Sequence, residues 1–162
     1  MAKAVFDSSI HFLDKRGGGG LMFGQKQTNS KALAVEVDGL LRGSTVRLSR
    51  SEGSWSIQFG EQYLLSTHSW RLLGAKSIIV TSEDDGHQFG LLAPVDAELS
   101  ANDALAGYHV TCFELDPRTG DAIVRIGGAL ALQIITWSMA YETWQLYKDG
   151  EFFAAVGNEG LR

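Results

Sequence analysis

The side chains of this sequence that most often carry out chemistry in proteins are four histidines and one cysteine. The histidines are His11, His68, His87 and His109, and no two of them have the spacing of a metal-binding pair on a helix. His109 and Cys112 lie three residues apart on a predicted strand, so they point to opposite faces unless the strand bulges. No serine lies in a Gly-x-Ser-x-Gly motif. We predict no catalytic residue, no metal ligand and no cofactor, although residues that meet only in three dimensions remain an alternative.

Carboxylates are the second group that can support function, and they are unevenly distributed. Residues 83–121 contain nine acidic residues and one basic residue, whereas residues 1–31 contain five basic and two acidic residues. An acidic field repels nucleic acid and attracts a basic partner. A solvated face that only aids solubility is the alternative. The acidic residues that we predict to bind a partner are Glu83, Asp84, Asp85, Asp96, Glu98 and Asp103.

Strands are the elements that would position these residues. Alternating polar and apolar residues, separated by turns that contain glycine, proline and aspartate, predict strands over most of the chain from residue 33 onward. The predicted strands cover residues 45–48, 55–59, 77–81, 109–114, 122–126, 144–146 and 152–154. One short helix is predicted at residues 100–105, with Ser100 as its N-cap. The fold class is therefore mostly β with a minor helix.

An internal similarity indicates two related β units. Residues 41–46 resemble residues 105–110, and at a slightly larger offset Phe59 corresponds to Ile126 and Trp70 to Trp137. We predict repeated units at about residues 40–75 and 104–148. Two such units packed together would form a sandwich or a half-open barrel.

Length and composition indicate one globular domain with a distinct N-terminal segment. The chain has 162 residues, and 44% of them are hydrophobic. Residues 1–32, with four consecutive glycines at 17–20, are predicted to form a hairpin or a flexible segment ahead of a β-rich domain at 33–162. No Gly-Lys-Ser/Thr follows the glycines, so a phosphate-binding loop is not indicated.

Compartment can be predicted from the cysteine content and hydropathy. Cys112 is the single cysteine, which excludes an internal disulfide and fits a reducing compartment, where we expect it to be a small buried residue. No apolar run approaches the roughly 20 residues of a membrane-spanning helix, and the N-terminus lacks an apolar signal core. We predict a cytoplasmic protein with no membrane contact.

Large aromatic residues and one carboxylate complete the set of candidates. Trp55, Trp70, Trp137 and Trp144 lie on or beside predicted strands and are expected in the core. Glu142 has the strand parity of Trp144, which would place its carboxylate on an apolar face. A carboxylate there needs hydrogen bonds or a cation, and Arg125 is a candidate for the cation. We interpret Glu142 as a structural residue.

The last third of the chain resembles a pattern found in small bacterial β proteins. The residues that carry the resemblance are 121–127, Asp-Ala-Ile-Val-Arg-Ile-Gly, and 141–146, Tyr-Glu-Thr-Trp-Gln-Leu. Proteins of that kind begin with Leu-x-Gly-x-x-Val, which residues 41–46 and 105–110 match, and end with Tyr-Glu-x-Trp, which residues 141–144 match. The resemblance covers about residues 40–160. The chain departs from the pattern at its end, and Gly127-Gly128 replaces an Asp-Gly turn.

The resemblance implies a function without chemistry. Several proteins of the Tyr-Glu-x-Trp kind are encoded beside polymorphic toxins and resemble immunity proteins, including those of contact-dependent growth inhibition systems. It implies that this chain neutralises a cognate toxin domain, with a nuclease as the expected toxin, and it supplies no catalytic residues. The alternatives are a small-ligand-binding or catalytic β-barrel domain, and a structural module that associates through its edges.

Overall fold

Two antiparallel sheets and two helices make up the part of the chain that the computed structural model describes, which is residues 21–138, 140–157 and 160–161. The helices are α1 (Leu21–Leu41) and α2 (Ala97–Leu105), with a short 3₁₀ helix at Ser82–Asp84. The strands are β1 (Val46–Ser51), β2 (Ser54–Phe59), β3 (Tyr63–Thr67), β4 (Trp70–Leu73), β5 (Ile78–Thr81), β6 (Val110–Leu115), β7 (Ala122–Ile126), β8 (Leu130–Ile134), β9 (Trp144–Lys148), β10 (Glu151–Gly157) and β11 (Gly160–Leu161).

The predicted mostly β fold is confirmed, and its two sheets correspond to a sandwich. The first sheet has the order β1-β2-β3-β9-β10-β11, and the second has the order β5-β4-β8-β7-β6. Alternation along the strands produces the core: in β2 the side chains of Trp55, Ile57 and Phe59 are buried, and the residues between them are half-buried. Leu65 of β3 and Leu132 of β8 are fully buried. Each such leucine contributes about 2 kcal/mol through burial.

Two units of the chain exchange their last hairpins. Strands β1, β2 and β3 lie in the first sheet, but β4 and β5 continue into the second sheet beside β8. In the same way β6, β7 and β8 lie in the second sheet, whereas β9 and β10 continue into the first sheet beside β3. The sheets therefore cannot separate without breaking each unit.

The units meet at Thr45 and His109, which form an antiparallel bridge. The N–H of Gly60 donates to the carbonyl of Thr45 at 2.9 Å, and the N–H of Gly127 donates to the carbonyl of His109 at the same distance. Equivalent residues of the two units thus make equivalent hydrogen bonds on either side of the bridge.

Helix α1 differs from the sequence prediction. It runs from Leu21 to Leu41 and so crosses residue 32, where we placed the boundary between a hairpin or flexible segment and the β-rich domain. Residues 1–20, including His11 and the four glycines, lie outside the described residues. Alternation at Leu33, Val35 and Val37 resembled a strand, but Leu33, Val37, Leu40 and Leu41 also have helical spacing. The packing uses the helical pattern: Val37 and Leu41 are buried, and Val35 is 74% exposed.

Helix α2 is longer than predicted and has a different cap. It begins at Ala97, and the N-cap is Asp96, whose side chain accepts from the N–H of Leu99. Ser100 lies inside the helix and is not the cap. The buried face of α2 consists of Ala97, Ala101 and Leu105.

Each helix closes one open side of the sandwich. Helix α2 contacts β1 of the first sheet and β5 of the second, which are edge strands on the same side. Helix α1 contacts β6 and β11, the edge strands of the opposite side. This arrangement covers edges that would otherwise pair with other chains. Neither described helix is long and apolar enough to cross a membrane.

Three of the four tryptophans are in the core, as predicted. Trp55, Trp70 and Trp144 are buried, and the rings of Trp55 and Trp70 meet edge to face at 5.0 Å. The prediction is wrong for Trp137, which is 56% exposed. Trp137 lies between β8 and β9, where the chain passes from one sheet to the other, so it has no strand neighbour to cover it.

Candidate functional site

Arg50 of the edge strand β1 joins three of the six predicted binding residues. Its Nε and Nη2 donate to the two carboxylate oxygens of Asp85 at 2.6 Å and 2.5 Å. Nη2 also donates to Asp96 Oδ1 at 2.8 Å, and Nη1 donates to Glu98 Oε2 at 3.2 Å. We call these four residues the Arg50 cluster. Since three carboxylates share one guanidinium, the Arg50 cluster keeps a net negative charge.

Backbone hydrogen bonds fix the carboxylates of the Arg50 cluster. Asp85 Oδ1 accepts from the N–H of the first residue of α2 at 2.9 Å. Asp96 Oδ1 accepts from the N–H of Leu99 at 3.0 Å, as the helix cap. Glu98 Oε2 accepts from the N–H of Arg50 at 3.0 Å. The start of α2 is thereby tied to the edge of β1.

These contacts keep the cluster charged. The hydrogen bonds from Arg50 are the largest cause of the lowered pKa of Asp85. For Asp96 the N–H of Leu99 lowers the pKa most, and Arg50 lowers it further. The pKa of Arg50 is raised, first by Asp85 and then by Asp96. At neutral pH all three groups are therefore ionised.

The other three predicted residues lie beside the Arg50 cluster in the fold. Asp84 forms a capping box with Thr81: its Oδ2 accepts from the N–H of Thr81 at 2.8 Å, and its own N–H donates to Thr81 Oγ1 at 3.2 Å. Glu83 precedes it in the 3₁₀ helix, and Asp103 lies near the end of α2; both are exposed. Within the described residues neither Glu83 nor Asp103 takes part in an ion pair.

The exposed side of α2 carries two of these acids and one apolar residue. Asp96, Leu99 and Asp103 are spaced so that they project on one side of the helix, opposite its buried face. Leu99 is 57% exposed. The surface that we call the acidic patch consists of the Arg50 cluster together with Glu83, Asp84 and Asp103. It has six carboxylates and one basic residue.

A groove of about 630 Å³ runs between β1 and α2, directly beside the acidic patch. Its walls combine charged, polar and apolar side chains. The side chains most relevant to binding are those of Arg47, Arg50, Glu98, Leu99, Asn102 and Tyr108. The groove can therefore receive a ligand or a protein segment that has both apolar and polar groups.

The three histidines that the structure describes, His68, His87 and His109, do not form one site. His68 Nδ1 lies 2.7 Å from the carbonyl of Gly53, and its ring meets that of Trp137. The ring of His87 lies 5.5 Å from that of Phe89. Among the described residues, no group of three or more histidine, cysteine or acidic side chains has the arrangement of a metal site.

Cys112 and His109 also stay apart. Strand β6 has a register shift between Val110 and Cys112, the kind of bulge that could have brought the two side chains together. In the described part of the chain, no contact joins them. Cys112 is half-buried and not fully buried as predicted, and burial is the largest cause of the raised pKa of its thiol.

Residues 141–144, which match the Tyr-Glu-x-Trp pattern, make contacts that stabilise the fold. Thr143 and Trp144 are buried, and Trp144 Nε1 donates to the carbonyl of Gly120 at 2.9 Å. Glu142 does not lie on the apolar face, because it is exposed and precedes β9. Its carboxylate accepts from the side-chain amide of Gln145. The suggested cation, Arg125, is instead paired with Glu114 at 2.8 Å.

Sequence reasoning missed the centre of the site. Arg50 is one of 14 basic residues, and no motif distinguishes it. Arg50 lies opposite Asp85, Asp96 and Glu98 only because α2 packs against β1. This contact joins parts of the chain that are far apart in sequence. The sequence analysis also does not identify Leu99 and Tyr108 as candidate binding residues. The helical spacing of α2 is a signal from which the exposure of Leu99 could be predicted.

Comparisons of the chain with protein-family models, with curated proteins and with solved structures give no match. The resemblance to immunity proteins stays a prediction that rests on the residues quoted for it.

Proposed function

We propose that this chain is a binding protein without catalytic activity, which neutralises a cognate bacterial toxin domain in the cytoplasm through the acidic patch. The observation that carries the proposal is that three carboxylates share the single guanidinium of Arg50, with three further carboxylates on the adjoining 3₁₀ helix and α2. A nuclease toxin must present positive charge to bind phosphate. An acidic surface that is already assembled attracts such a cleft and discriminates against other partners.

The fixed geometry of the acidic patch supports a binding role. Asp85, Asp96 and Glu98 are held by backbone and guanidinium contacts, so little side-chain freedom is lost when a partner binds. Within the part of the chain that the structure describes, Glu83 and Asp103 have no such contact, so they can pair with lysine or arginine of a partner. The patch therefore combines a rigid centre with free charges at its border.

The test is a calorimetric titration with the C-terminal domain of the toxin encoded directly upstream. We expect one-to-one binding that weakens as the salt concentration rises, because exposed charge pairs are screened. Absence of binding would contradict the proposal, and so would the absence of any toxin gene beside this one.

Charge reversal assigns the binding surface. Glu83→Lys with Asp103→Lys changes the charge of the acidic patch without removing any ion pair within the described residues, whereas reversal of Asp84 or Asp85 would disturb the fold. The matched control is Glu61→Lys with Glu151→Lys, which makes the same charge change at two exposed positions, one in the turn between β2 and β3 and one at the start of β10. We expect weaker toxin binding by about 10-fold or more for the first pair only. Equal affinities would exclude the acidic patch as the interface.

A second candidate function is small-ligand binding in the groove between β1 and α2. The volume of about 630 Å³ lies within the range of ligand sites. A screen of anionic and cationic metabolites by thermal shift tests it. A ligand whose stabilisation is abolished by Tyr108→Ala, while the toxin domain does not bind, would favour this alternative over toxin neutralisation.

A further inference from the structure

An exposed apolar loop projects next to the acidic patch. The loop, residues 87–94, connects the 3₁₀ helix to α2. Its apolar side chains Phe89, Leu91 and Leu92 are 68%, 54% and 106% exposed. Single exposed apolar residues are common, but three within four positions are a contiguous surface of the kind that marks an interaction site.

The base of the loop is closed by hydrogen bonds. The N–H of Gly86 donates to the carbonyl of Val95, and the N–H of Val95 donates to the carbonyl of His87, both at 2.9 Å. Val95 directly precedes Asp96, and Gly86 directly follows Asp85. The two ends of the loop are therefore anchored at two members of the Arg50 cluster, and the apolar tip extends from the acidic patch.

The tip is a tight turn that holds Phe89 in an unfavourable backbone conformation. The N–H of Leu91 donates to the carbonyl of Gln88 at 2.7 Å, and Gln88 Nε2 donates to the carbonyl of Leu91 at 2.9 Å. Between them Phe89 has φ of 43° and Gly90 has φ of 78°. Left-handed backbone is unfavourable for a bulky residue, and asparagine or glycine would adopt it more readily. Such strain is commonly found at functional positions.

We infer that Phe89, Leu91 and Leu92 form the apolar centre of the protein-binding surface whose charged border is the acidic patch. The inference rests on the proposed function and specifies the partner: a protein with an apolar pocket bordered by lysine and arginine. In such interfaces a buried aromatic residue supplies most of the affinity, and charges at the border supply association rate.

Charge is the reason for choosing a protein over a lipid bilayer as the occupant. Asp85 and Asp96 flank the base of the loop within an acidic patch of six carboxylates, and anionic lipid surfaces repel such a patch. A cationic rim on a protein complements the same six charges. The exposed apolar tip and the acidic base thus fit one partner class.

The test compares two variants in titrations with the upstream-encoded toxin domain. The first, Phe89→Asn with Leu92→Ser, removes the apolar tip and keeps the turn. The control, Phe152→Ser, removes a phenylalanine that is 56% exposed on strand β10. We expect the first variant to bind at least ~30-fold more weakly through faster dissociation, and the control to bind within about 3-fold of the unchanged protein. The urea midpoint of the first variant should not fall, because its replaced side chains are exposed.

The outcomes separate this inference from the proposed function. If the unchanged protein binds the toxin domain and the Phe89/Leu92 variant binds equally well, the loop is not the apolar centre, and the proposed function stands. If the unchanged protein does not bind, both fail. Leu91→Ser with Leu92→Ser, which leaves Phe89 in place, repeats the test should the first variant fold poorly. A membrane partner is tested by sedimentation with vesicles of 70% phosphatidylcholine and 30% phosphatidylglycerol. If the unchanged protein sediments with these vesicles and the Phe89/Leu92 variant does not, the choice of a protein partner is overturned.

Discussion

Asp38 and Asn102 make the same contact on opposite sides of the molecule. Asp38 Oδ1 of α1 accepts from the N–H of Phe113 at 2.7 Å, and Asn102 Oδ1 of α2 accepts from the N–H of Leu48 at 2.8 Å. The two residues are separated by the offset that relates Leu41 to Leu105. Each helix thus uses one side chain to bind the first strand of the other unit, and each edge strand gains a partner for a backbone N–H that its sheet leaves unpaired.

Asn102→Ala should lower the free energy of unfolding by about 2 kcal/mol, because a part-buried backbone N–H and a carbonyl of Leu48 lose their partner. Urea denaturation followed by tryptophan fluorescence measures the change. Asp103→Ala, one position along on the exposed side of α2, is the control and should change stability by less than about 0.5 kcal/mol. Equal effects of the two variants would show that the contact between α2 and β1 is not stabilising.

Arg50→Ala should destabilise the protein by about 1–2 kcal/mol, since three carboxylates lose their shared cation while 43% exposure of the Arg50 side chain limits the effect through screening. Arg50→Lys should recover only part of the loss, because an ammonium cannot make the paired contacts to Asp85. Chemical denaturation measures both variants. Arg47→Ala removes the same charge from the same strand, and a loss as large as that of Arg50→Ala would refute the role of the cluster.

Stability should fall on acidification in a defined pH window. Hydrogen bonds from Arg50 lower the pKa of Asp85. Hydrogen bonds from Arg118 lower the pKa of Asp116 from 3.8 to about 2. Because these folded-state pKa values are lower than the unfolded ones, the unfolded chain binds more protons as the pH falls through this range. Stability is therefore fully present above about pH 4 and is lost between about pH 4 and pH 2.

Urea midpoints at pH values from 7 to 2.5 test this expectation. The Arg50→Ala variant should lose less of its remaining stability over the same window, because Asp85 and Asp96 then have more ordinary pKa values. Identical pH profiles of the two proteins would contradict the assignment of this effect to the Arg50 cluster.

Gly120→Ala should be far more destabilising than Gly128→Ala, although both glycines have φ of +79°. A Cβ on Gly120 would overlap Val156 Cγ1. In addition, the carbonyl of Gly120 accepts a hydrogen bond from Trp144 Nε1. We expect a loss of about 3 kcal/mol from overpacking and strain together. At Gly128 the nearest atom would be 3.8 Å away, so only the backbone strain of about 1 kcal/mol remains. Thermal unfolding midpoints compare the two, and similar midpoints would show that the Val156 contact is easily relieved.

Local sequence was sufficient for most of the strands. The turn at Ser51-Glu52-Gly53 ends β1 and begins β2, and Asp149-Gly150 connects β9 to β10 with φ of 51° and 82°, as the paired left-handed residues of a hairpin turn require. Strand alternation and turn chemistry act over a few residues, so they can be recognised without knowledge of the rest of the fold.

Helix α1 and Trp137 show where local pattern is insufficient. The sequence around Val35 satisfies a strand period and a helical period together, and contact with β6 selects the helix. Trp137 is as apolar as Trp70, yet it lies where the chain crosses between sheets and is exposed. Burial of a given residue depends on its neighbours in space, which a local pattern does not specify.

By itself, the sequence determined that this protein is mostly β and that its carboxylates are concentrated in one stretch, and it predicted two similar β units. Only the tertiary structure decided that β4 and β5 join the second sheet while β9 and β10 join the first, that Arg50 joins Asp85 to Asp96, and that the loop at Phe89 extends from the acidic patch. The reason is physical: charge and periodicity are properties of neighbouring residues, whereas a guanidinium and a carboxylate 35 positions apart meet only after β1 and α2 have packed.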